Sequence, residues 1–178
     1  MHYGQARSFS PNLIRVSANF TRPADTTAYT SGDLVANSVT AASVVPLSWT
    51  VSRTVLGLVR VRRALLHKNQ NSITNAGFQL HLFNASPTIA TAGDNSVFAT
   101  NVSGYDKSMG FIEFTSIARY ADGAVSQGQC VDDTNTKAAA MIVAPAAGRL
   151  VYGLLLATGA YTPASAEVFT VDLELERA

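Results

Sequence analysis

Apolar and polar residues alternate along most of the chain, which is the pattern of β-strands with one buried face. Residues 13–20 (LIRVSANF) and 167–176 (EVFTVDLELE) are the clearest cases. The predicted apolar faces comprise Ile14, Val16, Ala18 and Phe20 in the first strand and Phe169, Val171, Leu173 and Leu175 in the second. We expect both strands to pack one face into a core and to expose the other face to solvent.

Further strands follow from the same criterion, and glycine, proline or asparagine separates most of them. Their predicted ranges are 33–36, 47–52, 54–67, 77–84, 110–117, 138–144 and 149–157. We expect 54–67 and 77–84 to pair as a hairpin across the polar segment 68–76. A lone short helix or 3₁₀ turn is expected within 118–136, where the alternation is weakest. The predicted fold is therefore all-β: a single-domain antiparallel β-sandwich of jelly-roll type, with about eight or nine strands.

The length of 178 residues suits one domain with a substantial core. We predict a polar N-terminal arm at residues 1–12, which orders only against a partner, and a β-sandwich domain over residues 13–178. The most apolar stretch, residues 138–160, is interrupted by a proline, an arginine and glycines. We interpret it as two buried strands and a turn rather than a membrane span.

Charged residues make up only 14% of the chain, against about 25% in typical soluble domains. This shortage indicates that a partner covers part of the surface. The net charge of +1 conceals an asymmetry, because residues 1–68 carry eight Lys or Arg and two acids, whereas residues 69–178 carry five and ten. Either the fold interleaves the two halves, or the protein has a basic end and an acidic end suited to oriented docking.

No catalytic or cofactor-binding motif occurs in the sequence. The single cysteine, Cys130, excludes an intrachain disulfide and a thiolate metal cluster, and it favours intracellular synthesis. His67 and His81 would face each other across the predicted hairpin, but a third metal ligand is missing, so we interpret them as polar strand residues. The pair Asp132 and Asp133 lacks the glycine of a calcium loop and is interpreted as a solvated turn. We therefore predict no catalytic, cofactor-binding or metal-binding residues and no enzymatic activity.

The densest basic run comprises Arg60, Arg62 and Arg63. A nucleic-acid-binding protein would be more basic overall and would place aromatic side chains beside the positive ones. We therefore expect these arginines to form salt bridges, either with an acidic partner or with acidic strands of the same chain. Nucleic acid and simple solvation are the alternatives.

Two stretches carry a resemblance to a known group of proteins: TRPADTTAYTSGDLVANS (residues 21–38), and ITNAGFQLHLFNASPTIATAGDNSVFA (73–99) with the later GFIEF (110–114). Both resemble segments of small structural proteins from the head and tail gene clusters of tailed bacteriophages and prophages. The resemblance spans roughly half of the chain and carries no catalytic residues. Among such proteins, jelly-roll cement or decoration proteins bind the outside of the capsid and lock neighbouring coat subunits together.

The resemblance implies a virion structural protein, foremost a capsid cement or decoration protein that binds the major capsid protein shell and stabilises it. Its expected location is the capsid exterior of a virion assembled in the host cytoplasm, with self-association at capsid symmetry axes and no membrane contact. A tail- or neck-associated protein and a carbohydrate-binding β-sandwich module are the alternatives. A carbohydrate platform needs exposed aromatic side chains, and Trp49, Tyr105, Tyr120 and Tyr161 are scattered along the sequence.

Partner contacts are predicted in the arm, in the loop around Tyr29 and in the loop 84–96, because these segments are long, low in charge and rich in small residues. The basic run is a further candidate for an acidic shell surface. The predicted contact residues are Tyr3, Arg7, Phe9, Arg22, Tyr29, Arg60, Arg62, Pro87 and Asp94.

Overall fold

The computed structural model describes residues 13–100, 102–131, 137–138 and 140–177. These residues form twelve strands: β1 (Leu13–Thr21), β2 (Leu34–Val35), β3 (Leu47–Thr50), β4 (Val59–Lys68), β5 (Phe78–Phe83), β6 (Ser108–Phe114), β7 (Ile117–Arg119), β8 (Ala124–Val131), β9 (Lys137–Ala138), β10 (Met141–Val143), β11 (Leu150–Ala157) and β12 (Val168–Arg177). Helical structure in the same ranges is limited to a 3₁₀ turn, Ala41–Ser43, and one turn of helix, α1 (Val102–Tyr105). The predicted all-β class is confirmed.

All strand pairings in the described residues are antiparallel, and they join the twelve strands into one sheet. The main path runs β1-β12-β4-β8-β6-β5-β11-β2. The remaining strands pair at its sides: β10 with β4, β3 with β11, and both β7 and β9 with β8. The first and last long strands are therefore neighbours, paired without a break from Leu13–Glu176 to Thr21–Val168.

The sheet curls, so that strands distant along its path face each other across a common core. Trp49 on β3, which pairs with β11, donates its indole N–H to the carbonyl of Val171 on β12 at 3.1 Å. The core between the facing strands includes Trp49, Val61, Leu66, Phe78, Leu80, Ile112, Phe114, Val151, Leu155, Phe169, Val171, Leu173 and Leu175. The stretch 138–160 contributes β10 and β11, and no helix in the described residues is long and apolar enough to cross a membrane.

The predicted apolar faces of the first and last strands are confirmed. Phe169, Val171, Leu173 and Leu175 are buried in the core. The corresponding residues of β1 are half-buried and pack against the same core. The difference arises because β1 lies at one end of the strand order, with a paired strand on one side only.

The predicted hairpin between 54–67 and 77–84 is wrong. β4 pairs with β12, β8 and β10, whereas β5 pairs with β6 and β11, so the two strands have no partner in common. The alternation identifies a strand but does not specify its partner, and the long register with β12 occupies one side of β4. Residues 54–58 are not a strand, because Leu56 adopts a left-handed conformation (φ 60°) and its N–H bonds to the carbonyl of Gly148.

The short helix or 3₁₀ turn predicted within 118–136 does not occur in residues 118–131, and residues 132–136 lie outside the described residues. Residues 118–131 contain most of β7 and all of β8, and β8 lies between β4 and β6. The inward positions of β8 include Ala124, Ser126 and Gly128. A Cβ on Gly128 would lie 2.5 Å from the side chain of Ile112, so this close approach requires glycine. Because these inward residues are small rather than large and apolar, the sequence of β8 does not show the alternation that predicts a strand.

Candidate interaction surface

Six of the nine predicted contact residues lie in the described part of the chain. Arg60 and Arg62 are at the surface, with side chains about half exposed. The other four are buried, which corrects their assignment as surface contacts: Arg22, Tyr29, Pro87 and Asp94. The remaining three, Tyr3, Arg7 and Phe9, lie outside the described residues.

Arg22, Tyr29 and Asp94 are buried because they bond to one another. Arg22 donates from Nη2 to Asp94 Oδ2 at 2.8 Å and from Nε to the Tyr29 hydroxyl at 2.9 Å. The Tyr29 hydroxyl donates to Asp94 Oδ1 at 2.7 Å, and the Ala36 N–H donates to the same oxygen at 2.8 Å. The network thus joins the loop around Tyr29 to the loop at Asp94. In this conformation its three side chains are buried and cannot contact a partner protein.

A second buried ion pair, absent from the sequence-based predictions, lies nearby. Lys68 Nζ donates to Glu167 Oε1 at 2.7 Å and to the Tyr161 hydroxyl, which itself donates to Glu167 Oε2 at 2.6 Å. Burial lowers the pKa of Lys68, although Glu167 opposes this shift. The rings of Tyr29 and Tyr161 stack at a centroid distance of 6.3 Å, which links the two networks. No local spacing rule indicates these pairs, because they join residues about 70 to 100 positions apart.

The outer face of β1, β12 and β4 carries a ladder of partly exposed ion pairs. Arg63 donates two hydrogen bonds to Glu174, from Nε to Oε2 at 2.6 Å and from Nη2 to Oε1 at 2.8 Å. Its neighbours Arg60 and Arg62 each approach Glu176 Oε2 at 3.4 Å. The basic run therefore bonds to an acidic strand of the same chain, which was one of the two expected salt-bridge arrangements.

The charge asymmetry of the sequence is resolved by interleaving. In the described residues, basic side chains from the first 68 positions pair with acids beyond position 90 in both buried networks and along the outer ladder. The structure therefore agrees with averaged charges rather than with a basic end and an acidic end. Among these pairs, the exposed ones of the outer ladder, Arg60 and Arg62 with Glu176, contribute little to stability.

Exposed apolar side chains gather where β4 begins. Leu58 (61% exposed) and Ile142 (66%) line one groove of about 230 Å³ together with Arg60 and Glu176. Val55 (65%) and Leu56 (55%) lie in the turn immediately before Leu58. We call the groove-lining pair Leu58 and Ile142, with the bordering Arg60 and Glu176, the β4–β10 patch. Grouped apolar side chains with a polar border are typical of protein-binding surfaces.

His67 and His81 do not face each other across a hairpin, because β4 and β5 do not pair. His67 pairs with Thr170 and Val125 in the sheet and contacts Asp172 at 3.0 Å. His81 lies between the rings of Phe98 and Phe111, at 5.1 and 5.4 Å, and its Nε2 is buried without a hydrogen-bond partner. The described residues contain no group of three or more potential metal-binding side chains, and Asp132 and Asp133 lie outside them.

Stability should depend on pH through His81. Burial lowers the pKa of His81 below its usual 6.5, so the unfolded chain binds a proton more readily than the folded one. Stability is therefore lost as the pH falls through about 6.5, by at most about 1.4 kcal/mol per pH unit. We expect His81→Phe, which retains an aromatic ring in the stack, to lose less stability than the wild type between pH 7 and pH 5. Urea unfolding at both pH values measures this, and equal losses in the two proteins would contradict it.

The aromatic side chains available for a carbohydrate platform are divided between interior and surface. Trp49 and Tyr161 are buried in the core. Tyr105 and Tyr120 are exposed by 62% and 59%, and they belong to different segments, α1 and the turn between β7 and β8. The four aromatics therefore do not form one exposed platform.

No protein-family model matches the chain, and no curated protein matches it.

Proposed function

We propose that the protein is a virion structural protein, specifically a capsid cement or decoration protein. In this proposal it binds the shell of the major capsid protein of a tailed bacteriophage, on the capsid exterior, after assembly in the bacterial cytoplasm. The curled sheet would correspond to the single-domain jelly-roll sandwich of such proteins. The observation that carries the proposal is the β4–β10 patch, considered together with the phage-protein resemblance of the segments that contain Tyr29 and Asp94.

The patch has the composition of a protein-docking surface. Its apolar centre at Leu58 and Ile142 is bordered by Arg60 and Glu176, which are partly exposed and only loosely paired at 3.4 Å. On docking, burial of the apolar side chains would supply affinity, and the border charges would select the orientation. Arg60 and Arg62 remain candidate contacts, because either guanidinium can exchange Glu176 for a carboxylate of the shell.

If many copies bind one shell, a patch of this size would be sufficient for stable attachment. A cement protein touches more than one coat subunit, so that modest contacts combine through avidity. Closed shells also favour placement on symmetry axes, where copies contact each other. Such a protein would add stability to the particle without catalysis.

The test uses particles assembled without this protein, to which purified protein is added back. Wild type should rebind at a fixed ratio per coat subunit and raise the resistance of the particles to heat or chelator. Leu58→Ser with Ile142→Ser should rebind at least about tenfold more weakly, because a loss of 1.4 kcal/mol corresponds to tenfold in affinity. Val97→Ser is the matched control, because Val97 is 73% exposed and lies outside the patch. A chain deleted for residues 1–12 should also rebind more weakly than wild type.

Each alternative function predicts a different result. If the protein is absent from purified heads but present in tails or necks, the tail-associated alternative replaces the cement proposal. Binding to immobilised glycans without binding to particles would favour a carbohydrate-binding module. Full rebinding of the double Ser variant would show that the β4–β10 patch is not the docking surface.

A further inference from the structure

A local excess of positive charge lies at the segment between β3 and β4. Arg177, the last residue of β12, donates from Nε to the carbonyl of Val51 at 2.6 Å and from Nη2 to that of Thr50 at 3.0 Å. Arg149 lies beside the same segment, because its carbonyl accepts the Val51 N–H at 3.0 Å. Arg53 follows Val51 by two positions, and both Arg53 and Arg149 are exposed. We call Arg53, Arg149 and Arg177 the arginine cluster.

The chain around the arginine cluster supplies little negative charge. Residues 46–58 and 143–152 contain no acidic residue. Within the part of the chain that the structure describes, Arg149 and Arg177 form no ion pair. Partial burial lowers the pKa of Arg177, and the positive charges of Arg53 and Arg149 lower it further. An anionic partner would offset the repulsion between these side chains.

The adjoining turn holds an apolar side chain in a strained conformation. The Gly57 N–H donates to the Thr54 carbonyl at 3.3 Å, so Leu56 occupies the third position of a β-turn. Its φ is 60°, a left-handed value that Gly or Asn normally adopts, because larger side chains meet steric repulsion there. The side chain is 55% exposed, and that of Val55 is 65% exposed, so neither gains much from the core. A strained residue that contributes little to packing indicates a contact role for its side chain.

We propose that the arginine cluster and Leu56 bind an acidic protein surface, whose carboxylates meet the guanidinium groups and whose apolar pocket receives the leucine. In the cement proposal, on which this inference rests, that surface belongs to the coat protein. Arginine suits the role because its guanidinium forms two parallel hydrogen bonds with one carboxylate. The turn also continues directly into the β4–β10 patch, since Leu58 follows Gly57. One partner can therefore cover both surfaces.

A protein surface fits these features better than an anionic lipid surface does. Glu176 precedes Arg177, and its side chain is 36% exposed, so a uniformly negative surface would meet a carboxylate at the border of the contact. A protein surface can place a cation opposite Glu176 and carboxylates opposite the arginine cluster. Flotation with vesicles of phosphatidylcholine and phosphatidylglycerol in equal parts separates the two cases. Wild type should not float with the vesicles, and co-flotation would overturn the proposal.

Charge reversal tests the arginine cluster on the particles assembled without this protein. Arg149→Glu should rebind at least about tenfold more weakly than wild type, because repulsion replaces attraction to the carboxylates. Rebinding of wild type should also weaken more steeply with added NaCl than that of Arg149→Glu. Arg119→Glu is the matched control and should rebind like wild type. Arg119 is also exposed, but it lies beside Ala124, which pairs with Lys68 at the opposite end of β4 from Leu58.

Leu56→Asn should change stability and binding in opposite directions. Asparagine adopts the left-handed conformation more readily than leucine, so the urea midpoint of the purified chain should rise. Rebinding to the particles should weaken at least about tenfold, because the apolar contact is lost. A misfolded variant would instead lose both. If Leu56→Asn is less stable than wild type, or if it and Arg149→Glu rebind fully, this inference is wrong and the cement proposal stands. Failure of wild type to rebind would overturn both.

Discussion

Asp94→Ala should destabilise the fold by about 3–5 kcal/mol, the usual cost of removing one member of a buried ion pair. The side chains of Arg22 and Asp94 are both fully buried, so the substitution leaves the guanidinium without its counter-charge in the interior. The Tyr29 hydroxyl and the Ala36 N–H would lose their acceptor in the same step. Urea unfolding followed by circular dichroism measures the change.

Asp25→Ala is the matched control for this experiment. Asp25 approaches the same Arg22 nitrogen at 3.2 Å, but its side chain is 36% exposed, so its loss should cost no more than about 1 kcal/mol. Replacing both buried partners, as in Arg22→Met with Asp94→Leu, should recover part of the stability lost in Asp94→Ala, because it removes the unpaired charge. Similar losses for Asp25→Ala and Asp94→Ala would show that the network is not the stabilising feature.

The buried network also connects two stretches that are separate in the sequence. Residues 21–38 contain Arg22 and Tyr29, and residues 73–99 contain Asp94. Backbone hydrogen bonds join the same stretches directly, including Leu34 N–H to Ser96 O at 2.8 Å and Asn95 N–H to Leu34 O at 2.9 Å. The two stretches therefore form one structural unit, and several residues first interpreted as partner contacts instead hold that unit together.

The fold class and the faces of the outer strands could be predicted from the sequence because they depend on local alternation. An inward Leu173 follows from its apolar neighbours two positions away, whatever strand lies beside it. Strand partners could not be predicted in the same way. β4 and β5 are consecutive long strands, yet β4 pairs with β12, β8 and β10, and β5 pairs with β6 and β11. The alternation in β4 would be the same with β5 or with β12 beside it.

Among the candidate contact residues, surface exposure was predicted correctly only for those on a strand, where the alternation of buried and exposed positions determines it. Arg60 and Arg62 alternate with buried valines on β4, so their position at the surface could be predicted. Arg22 and Asp94 lie in loops, where a charged side chain is ordinarily exposed. Their burial depends on the meeting of two loops 72 positions apart, which a single sequence does not reveal. Lys68 was likewise placed in a polar turn, although its side chain is 1% exposed.

Leu173→Asp should abolish folding, with a cost above about 4 kcal/mol, because it places a carboxylate in the core without a partner. Leu173 is fully buried and pairs with Val16 on one side and Ala64 on the other, so the new side chain has no route to solvent. Phe20→Asp should cost less, about 2 kcal/mol, because Phe20 is half-buried near the end of β1 and loses chiefly its stacking on Phe169. The exposed Thr21→Asp is the control and should change stability by no more than about 0.5 kcal/mol. Circular dichroism and urea unfolding give the order, and a cooperatively folded Leu173→Asp of wild-type stability would show that β12 presents its other face to the core.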